Sequence, residues 1–231
     1  LGGLVYVNAI NPGAPAVLGT WPFVSDLRSG AMSGGAPEQA IMSAACAQVG
    51  QHFNLPVGTG AGMSDANVPG FQGGAEHASN AALAALSGAN IVYEAAGMYA
   101  SLLSACPESL LLDNDILGAC MRMVRGVAVN ESTLAFDLIK DVCLSDKGHY
   151  LDAPQTLSVM QSEYIYPELC NRLSPGDWND AAKPDPLVLA VKRRDEILAS
   201  HFPSHISNEI DARIRAEFPI FLNRQAMGRE A

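Results

Sequence analysis

The first hundred residues repeat one pattern: a helical stretch that closes at Asn or Gly, a short apolar β-prone run, then a Gly-rich or polar loop. The first pass takes residues 5–10, the stop Asn11-Pro12-Gly13 and the run Ala16-Val17-Leu18-Gly19-Thr20. The second is a helix opened by Pro37 and Glu38, with Ile41, Ala44, Ala45, Val49 and Phe53 on one face, followed by Leu55-Pro56-Val57-Gly58-Thr59. Pro at a first helical position and an acid in the first turn are helix start signals. The third has Ala75, Ala78, Ala82, Ala85 and Leu86 at helical spacing, the stop Ser87-Gly88, and Asn90-Ile91-Val92-Tyr93-Glu94. A fourth, shorter unit is read from Leu102-Leu103 to Leu110-Leu111-Leu112-Asp113. Beyond Asn114 the strand signal stops, and the spacing predicts helices over 116–125, 132–142, 154–169, 187–199 and 207–218. The last carries Ile206, Ile210, Ile214 and Phe218 as an i, i+4 stripe that is expected to dock.

Helices alternating with short buried strands imply a parallel sheet with helical crossovers. About four β/α units are half of what a closed (β/α)₈ barrel needs, usually in ~250 residues. The expected fold is therefore α/β: a partial TIM barrel, the carboxyl-terminal half, over 1–130, with a helical extension of the same domain over 131–231. The first residue is not Met and the chain starts inside a helical pattern, so it is expected to be the carboxyl-terminal portion of a longer protein. Residues 174–180, Ser-Pro-Gly-Asp-Trp-Asn-Asp, read as a turn-rich linker before the terminal helices.

Composition narrows the function classes. The chain is 48% hydrophobic and 16% charged over 231 residues, which excludes disorder. Its formal charge of −10 argues against gripping phosphate backbones, so nucleic acid is not an expected partner. No uninterrupted apolar run of ~20 residues predicts a membrane span. No secretory signal is visible. Five widely spaced cysteines, without a C-x-x-C, support neither a disulfide framework nor structural zinc, and a reducing cytoplasmic setting is expected. The five histidines show no metal-ligand spacing, and no metal is expected.

Parallel sheets place their sites beyond the carboxyl ends of the strands. The informative positions are thus Thr20 and Trp21, the stretch 58–65 with Asn67, Glu94, and 113–115. Glu94 ends an apolar run and reads either as a functional carboxylate at a barrel mouth or as a helix cap. Asp113 and Asp115 read mainly as helix caps, with a functional role open for Asp113. The loop Gly58-Thr59-Gly60-Ala61-Gly62-Met63-Ser64-Asp65 fails the dinucleotide fingerprint, because Met63 stands where a third glycine is needed. Trp21, Phe23, Tyr93 and Tyr99 lie on or beside the predicted strand ends and permit a cage for a cationic methylated amine. No nucleophile elbow occurs. Asn130-Glu131-Ser132 is read as a helix start rather than a glycosylation site.

Several stretches, in order, resemble the trimethylamine methyltransferase family: Asn11-Pro12-Gly13-Ala14-Pro15, Asp26-Leu27-Arg28-Ser29-Gly30-Ala31, Gly35-Ala36-Pro37-Glu38, Gly62-Met63-Ser64-Asp65-Ala66, Leu86-Ser87-Gly88-Ala89-Asn90 through Tyr93-Glu94-Ala95-Ala96-Gly97, and Leu112-Asp113-Asn114-Asp115-Ile116-Leu117-Gly118. The segment 133–173 continues it. The resemblance implies a TIM barrel that moves a methyl group from a methylated amine to the Co(I) centre of a separate corrinoid protein. The corrinoid is carried by that cognate partner, and no cofactor is expected on the chain itself. Family members acting on trimethylamine carry pyrrolysine in the loop after Ser64-Asp65, where Asn67 or a neighbour stands here. The sequence is thus similar to the branch using quaternary amines. On this resemblance Glu94, Asp65 and Asn67 are the candidate catalytic residues. Trp21, Tyr93, Asp113 and Thr59 are the candidate substrate-binding ones, and Trp21, Asp65, Glu94 and Asp113 are expected around one hollow.

Two other readings stay open. The chain is an inactive or binding-only barrel module whose open edges favour association, with another chain or as a homo-oligomer. Alternatively it is another TIM-barrel enzyme, such as a lyase with Glu94 as base.

Overall fold

The computed structural model describes residues 1–203 and 205–224. About half of the chain is helical, around a small parallel sheet. In chain order the elements are α1 (Gly2–Ile10), β1 (Leu18–Thr20), β2 (Val24–Ser25), β3 (Met32–Ser33), α2 (Pro37–His52), β4 (Val57–Gly60), α3 (Phe71–Leu86), β5 (Ile91–Tyr93), β6 (Met98–Tyr99), β7 (Ser104–Ala105) and α4 (Pro107–Arg125). There follow α5 (Glu131–Leu134), α6 (Phe136–Cys143), α7 (Pro154–Glu163), α8 (Pro175–Asp180), α9 (Pro186–Ser200) and α10 (Asn208–Glu217).

The sheet has the order β1-β4-β5, all parallel, with Gly58 opposite both Gly19 and Ile91 and Thr59 opposite Thr20 and Val92. Each strand follows a helix that ends at a stop noted in the sequence, and α2 and α3 are the crossovers. Side chains alternate across β4. Val57 faces α2, where Gly50 leaves room for it. Gly58 and Gly60 point the other way. On that second face the Tyr93 ring lies over Gly58, and Trp21 approaches Gly60 so closely that a Cβ there would sit 3.0 Å from its Cδ1. A methyl group on Gly58 would overlap the Tyr93 hydroxyl and ring. Gly58→Ala is accordingly expected to displace that ring and cost about 1–3 kcal/mol, seen as a lower Tm and an altered near-UV aromatic signal.

The core lies between the sheet and α2, α3 and α4, with α9 packed on α4. Ala40, Ala47, Ala81 and Ala84 are buried at the helix contacts, and their small side chains let α2 and α3 approach closely. Asn130 caps α5 through the backbone N–H groups of Ser132 and Thr133, as its position in the sequence implies.

The fourth β/α unit is corrected. The sheet has three parallel strands, not four, and no closed barrel is formed among the described residues. Residues 100–102 turn in the left-handed region between β6 and β7, a short antiparallel pair. The leucines 110–112 belong to α4, because Pro107 and Glu108 start a helix at once and Ser109, Asp113 and Cys120 then recur on its buried face. Asp113 therefore caps nothing: it lies inside the helix. The predicted 132–142 helix is broken at Ala135, which has φ +48°, and the one predicted over 154–169 ends at Glu163. The stripe expected to dock stays open, with Ile210 47% and Phe218 58% exposed. No residue of α1 is buried either. The carboxyl-terminal residues 225–231 of the expected extension lie outside the described residues. No helix among the described residues is long and apolar enough to cross a membrane.

Candidate functional site

Two loops leave the carboxyl ends of β4 and β5 and run side by side. Ala61 N–H donates to Tyr93 O at 3.3 Å, Ser64 N–H to Met98 O at 3.0 Å, Ala100 N–H to Ala66 O at 2.9 Å and Ser101 N–H to Ser64 O at 3.1 Å. They press together at Gly62, φ +78°, where a Cβ would lie 2.8 Å from Ala95 O. Only glycine suits that position, on both conformational and contact grounds.

At the head of the second loop Glu94 takes φ +57°, a left-handed conformation uncommon for a residue with a side chain. One of its carboxylate oxygens, Oε2, is buried without a hydrogen-bond partner. Burial alone pushes this carboxyl above its ordinary value. Strain together with an unmatched buried carboxylate oxygen is a combination found at functional positions. The residue before it, Tyr93, meets Trp21 edge-on with ring centroids 6.3 Å apart, and Trp21 meets Phe23 at 6.0 Å. Trp21 is 50% exposed, so the cluster opens to solvent over the glycine face.

The structure places the other candidates apart from this cluster. Asp65 accepts Gly34 N–H at 2.8 Å and Gly35 N–H at 3.1 Å, and also the hydroxyls of Ser33 and Ser101. Burial opposes its ionisation, but these donors outweigh it and hold Asp65 below the usual carboxylate range. Asp65 and Asn67 line a cleft of about 1130 Å³ between the β2–β3 hairpin and the 100–103 turn. Trp21, Thr59, Tyr93 and Glu94 do not line it. Thr59 is fully buried on the α2 side of β4, with its hydroxyl unpartnered. Asp113 is 1% exposed and receives Gly97 N–H at 2.7 Å, the Ser109 hydroxyl at 2.9 Å and the His77 ring at 2.7 Å. The expected single hollow of Trp21, Asp65, Glu94 and Asp113 is thus replaced by three places: aromatic mouth, cleft and buried network. Asp65 and Asp113 spend their oxygens on backbone N–H groups and neighbouring side chains, whereas one Glu94 oxygen has no hydrogen-bond partner.

Tyr99, grouped in the sequence with the other aromatics, is buried beside His77 at 5.0 Å between ring centroids, its hydroxyl on Ser109. Asp115 caps no helix but clamps a distant segment to α4, accepting the backbone N–H groups of Glu168, Leu169 and Cys170. Periodicity singled out neither His77 nor Glu76. Glu76 accepts Ser64 Oγ at 2.7 Å and Asp65 N–H at 2.8 Å and so anchors the first loop. The available signal for His77 was its place among Gly73, Asn80, Ala81 and Ala84 on the buried face of α3, where an imidazole needs partners. Among the described residues no group of three or more His, Cys, Asp or Glu side chains is placed to hold a metal ion.

Comparison with known proteins adds an independent line. The chain is 31% identical to a glycine betaine methyltransferase of Desulfitobacterium hafniense (strain Y51), over 94% of its own length and 44% of that relative. It is 33% identical to a trimethylamine methyltransferase of Methanosarcina barkeri (strain Fusaro / DSM 804), over 91% of its length and 42% of the relative. The chain therefore spans less than half the length of these relatives. Residues 1–226 match the family described as trimethylamine methyltransferase. With that match covering nearly all of the sequence, the chain belongs to the trimethylamine methyltransferase family.

Proposed function

We propose that the chain forms the substrate-binding, carboxyl-terminal half of a TIM-barrel methyltransferase that moves a methyl group from a quaternary methylated amine to the cobalt of a separate corrinoid protein. The observation that carries this reading is the buried, unpartnered Glu94 carboxylate oxygen directly after Tyr93, whose ring lies with Trp21 over a floor of glycines. A carboxylate oxygen withdrawn from water without a partner carries a cost. A cation seated on aromatic faces relieves that cost, each face contributing ~0.5–2 kcal/mol. A quaternary ammonium has no N–H to donate, so an anion and ring faces are the groups suited to it. The relatives named for glycine betaine and trimethylamine support a methylated amine as substrate, and Asn67 standing in the loop after Ser64-Asp65 supports the quaternary branch.

In this reading the corrinoid, on the partner, supplies the nucleophile. The quaternary nitrogen keeps the C–N electron pair as its methyl leaves and departs as a neutral amine, so no general acid is required. Trp21, Tyr93 and Glu94 hold and desolvate the cation, and fixing its methyl in line supplies up to ~7–11 kcal/mol through orientation. Asp65, with Asn67 beyond it, shapes the neighbouring loop, while Thr59 and Asp113 belong to the scaffold. Helices on one sheet face and glycines under aromatic rings on the other support the half-barrel, with 1–130 as barrel and 131–231 as extension. Five free cysteines fit a reducing compartment, the cytoplasm.

The test uses the chain alone and within the longest polypeptide its gene encodes. Tetramethylammonium and glycine betaine are titrated against Trp21 fluorescence in a Trp178→Phe background. Turnover with a reduced corrinoid protein is read as demethylated amine by mass spectrometry. Trp21→Ala, followed by calorimetry, is expected to weaken binding about 2- to 30-fold, the equivalent of one cation–π contact. Binding and turnover absent with a panel of methylated amines would defeat the reading. The undocked α1 and the two sheet edges favour a second one, a binding-only module completed by another chain or copy. A compact monomer with strongly protected amides in the isolated chain would exclude it.

A further inference from the structure

We propose that His77, held as a buried imidazolium by Asp113, is the positioning residue that registers the Glu94 loop on the Asp65 loop. This rests on the cation-binding role given to Glu94 above. The ring reaches a carboxylate oxygen of Asp113 through Nδ1 at 2.7 Å and the carbonyl of Met98 through Nε2 at 3.0 Å. Asp113 receives Gly97 N–H and the Ser109 hydroxyl on Oδ2 and offers Oδ1 to His77 as an acceptor. Two acceptors require two N–H donors, which only the imidazolium has. The same Met98 carbonyl also accepts Ser64 N–H from the first loop. One ring therefore ties α3 to the point where the two loops meet, and Asp113 fixes the adjoining Gly97 of the loop that Glu94 opens.

The groups facing the ring are few. Asp113 and Ser109 come from α4, Tyr99 from β6 with Cys106 beyond it, and Glu76 from the same helix. Burial favours the neutral ring, but the Asp113 bond and charge, the Met98 carbonyl and Glu76 outweigh it and raise the pKa of His77. Losing the proton would leave a ring lone pair against a carboxylate or a carbonyl, repelling one of the two anchors. Affinity for a cation held by Glu94 should then fall as pH rises through the titration of His77.

The experiment follows ring nitrogens by ¹⁵N NMR, tetramethylammonium affinity against pH, and amide exchange, in the full chain and in Asp113→Asn and His77→Gln. At pH 7 both nitrogens of His77 are expected to carry protons. The wild-type affinity is expected to fall with the same midpoint as His77 deprotonation. Asp113→Asn should move both midpoints to lower pH together. His77→Gln should bind about tenfold more weakly and without pH dependence over that range, its Ser64 and Ser101 amides exchanging at least tenfold faster while Ala47 in α2 is unchanged. A singly protonated ring at pH 7, an affinity midpoint unmoved by Asp113→Asn, or equal acceleration throughout the chain would overturn the proposal. If the wild type binds no quaternary ammonium, the reading of Glu94 fails. The ring protonation and the loop-specific exchange then still decide whether His77 registers the loops, and neither variant is needed for the first of them.

Discussion

Glu94→Gln is expected to weaken tetramethylammonium binding by roughly 30- to 150-fold, about 2–3 kcal/mol, while making the protein more stable at pH 7. The first effect is the loss of one charge–charge attraction at a partly desolvated distance of about 5–6 Å, for which an effective dielectric near 20 gives about 3 kcal/mol. The second follows from the sign of the pKa shift. Burial raises the Glu94 carboxyl above its ordinary value of 4.5, so the folded state favours its protonated form. That contribution is fully present below pH 4.5 and is lost as pH rises through the folded pKa. Glutamine is uncharged throughout and has the same left-handed backbone to satisfy, so strain cancels from the comparison. Thermal melts at pH 4 and pH 7 should show variant and wild type alike at the lower value, with the variant higher at the other. Unchanged affinity in Glu94→Gln would remove the carboxylate from the site.

Asp113→Ala is expected to be the most damaging single substitution, costing about 3–5 kcal/mol, because it leaves a buried charge without its partner. It strands the His77 imidazolium and also the Gly97 N–H and Ser109 hydroxyl that Asp113 accepts. Against a typical total stability of about 5–15 kcal/mol, that loss takes away a large share. Urea denaturation measures it. The raised pKa of His77 contributes stability that is complete below about pH 6.5 and disappears as pH climbs through the folded value. Wild-type stability should therefore decline with alkalinity in that window, and Asp113→Ala should flatten the dependence. A loss below about 1 kcal/mol would mean that the pair carries little of the fold.

The parallel strands were legible because each apolar run is short, contains or adjoins Gly or Asn and follows a helical pattern; the start signal Pro37 with Glu38 and the stop Ser87-Gly88 are examples. The leucine run at 110–112 misled for the complementary reason. Three adjacent apolar residues fit a buried strand as well as a helix, and only Pro107 and the buried spacing of Ser109, Asp113 and Cys120 decide for the helix. Local position placed Glu94, Tyr93 and Trp21 at strand ends. It could not find partners joined across the chain. His77 and Asp113 lie 36 residues apart, and Ser33, Asp65 and Ser101 come from the end of β3 and two separate loops. Nothing in a periodic pattern encodes such closures, so carboxylates that tether backbone look the same in sequence as one left free.

The glycines beneath the aromatic rings carry a consequence for ligand choice. With no side chains rising from Gly19, Gly58 and Gly60 on that side of the sheet, the tilt of two rings sets the headroom above the backbone. The three positions differ in tolerance: a methyl at Gly19 would meet only the Tyr93 hydroxyl, at 3.3 Å, whereas at Gly58 it would collide with the ring itself. Residue 19 is thus the place where evolution or an engineer can trim the chamber by one carbon to exclude bulkier ammonium compounds, leaving its walls standing.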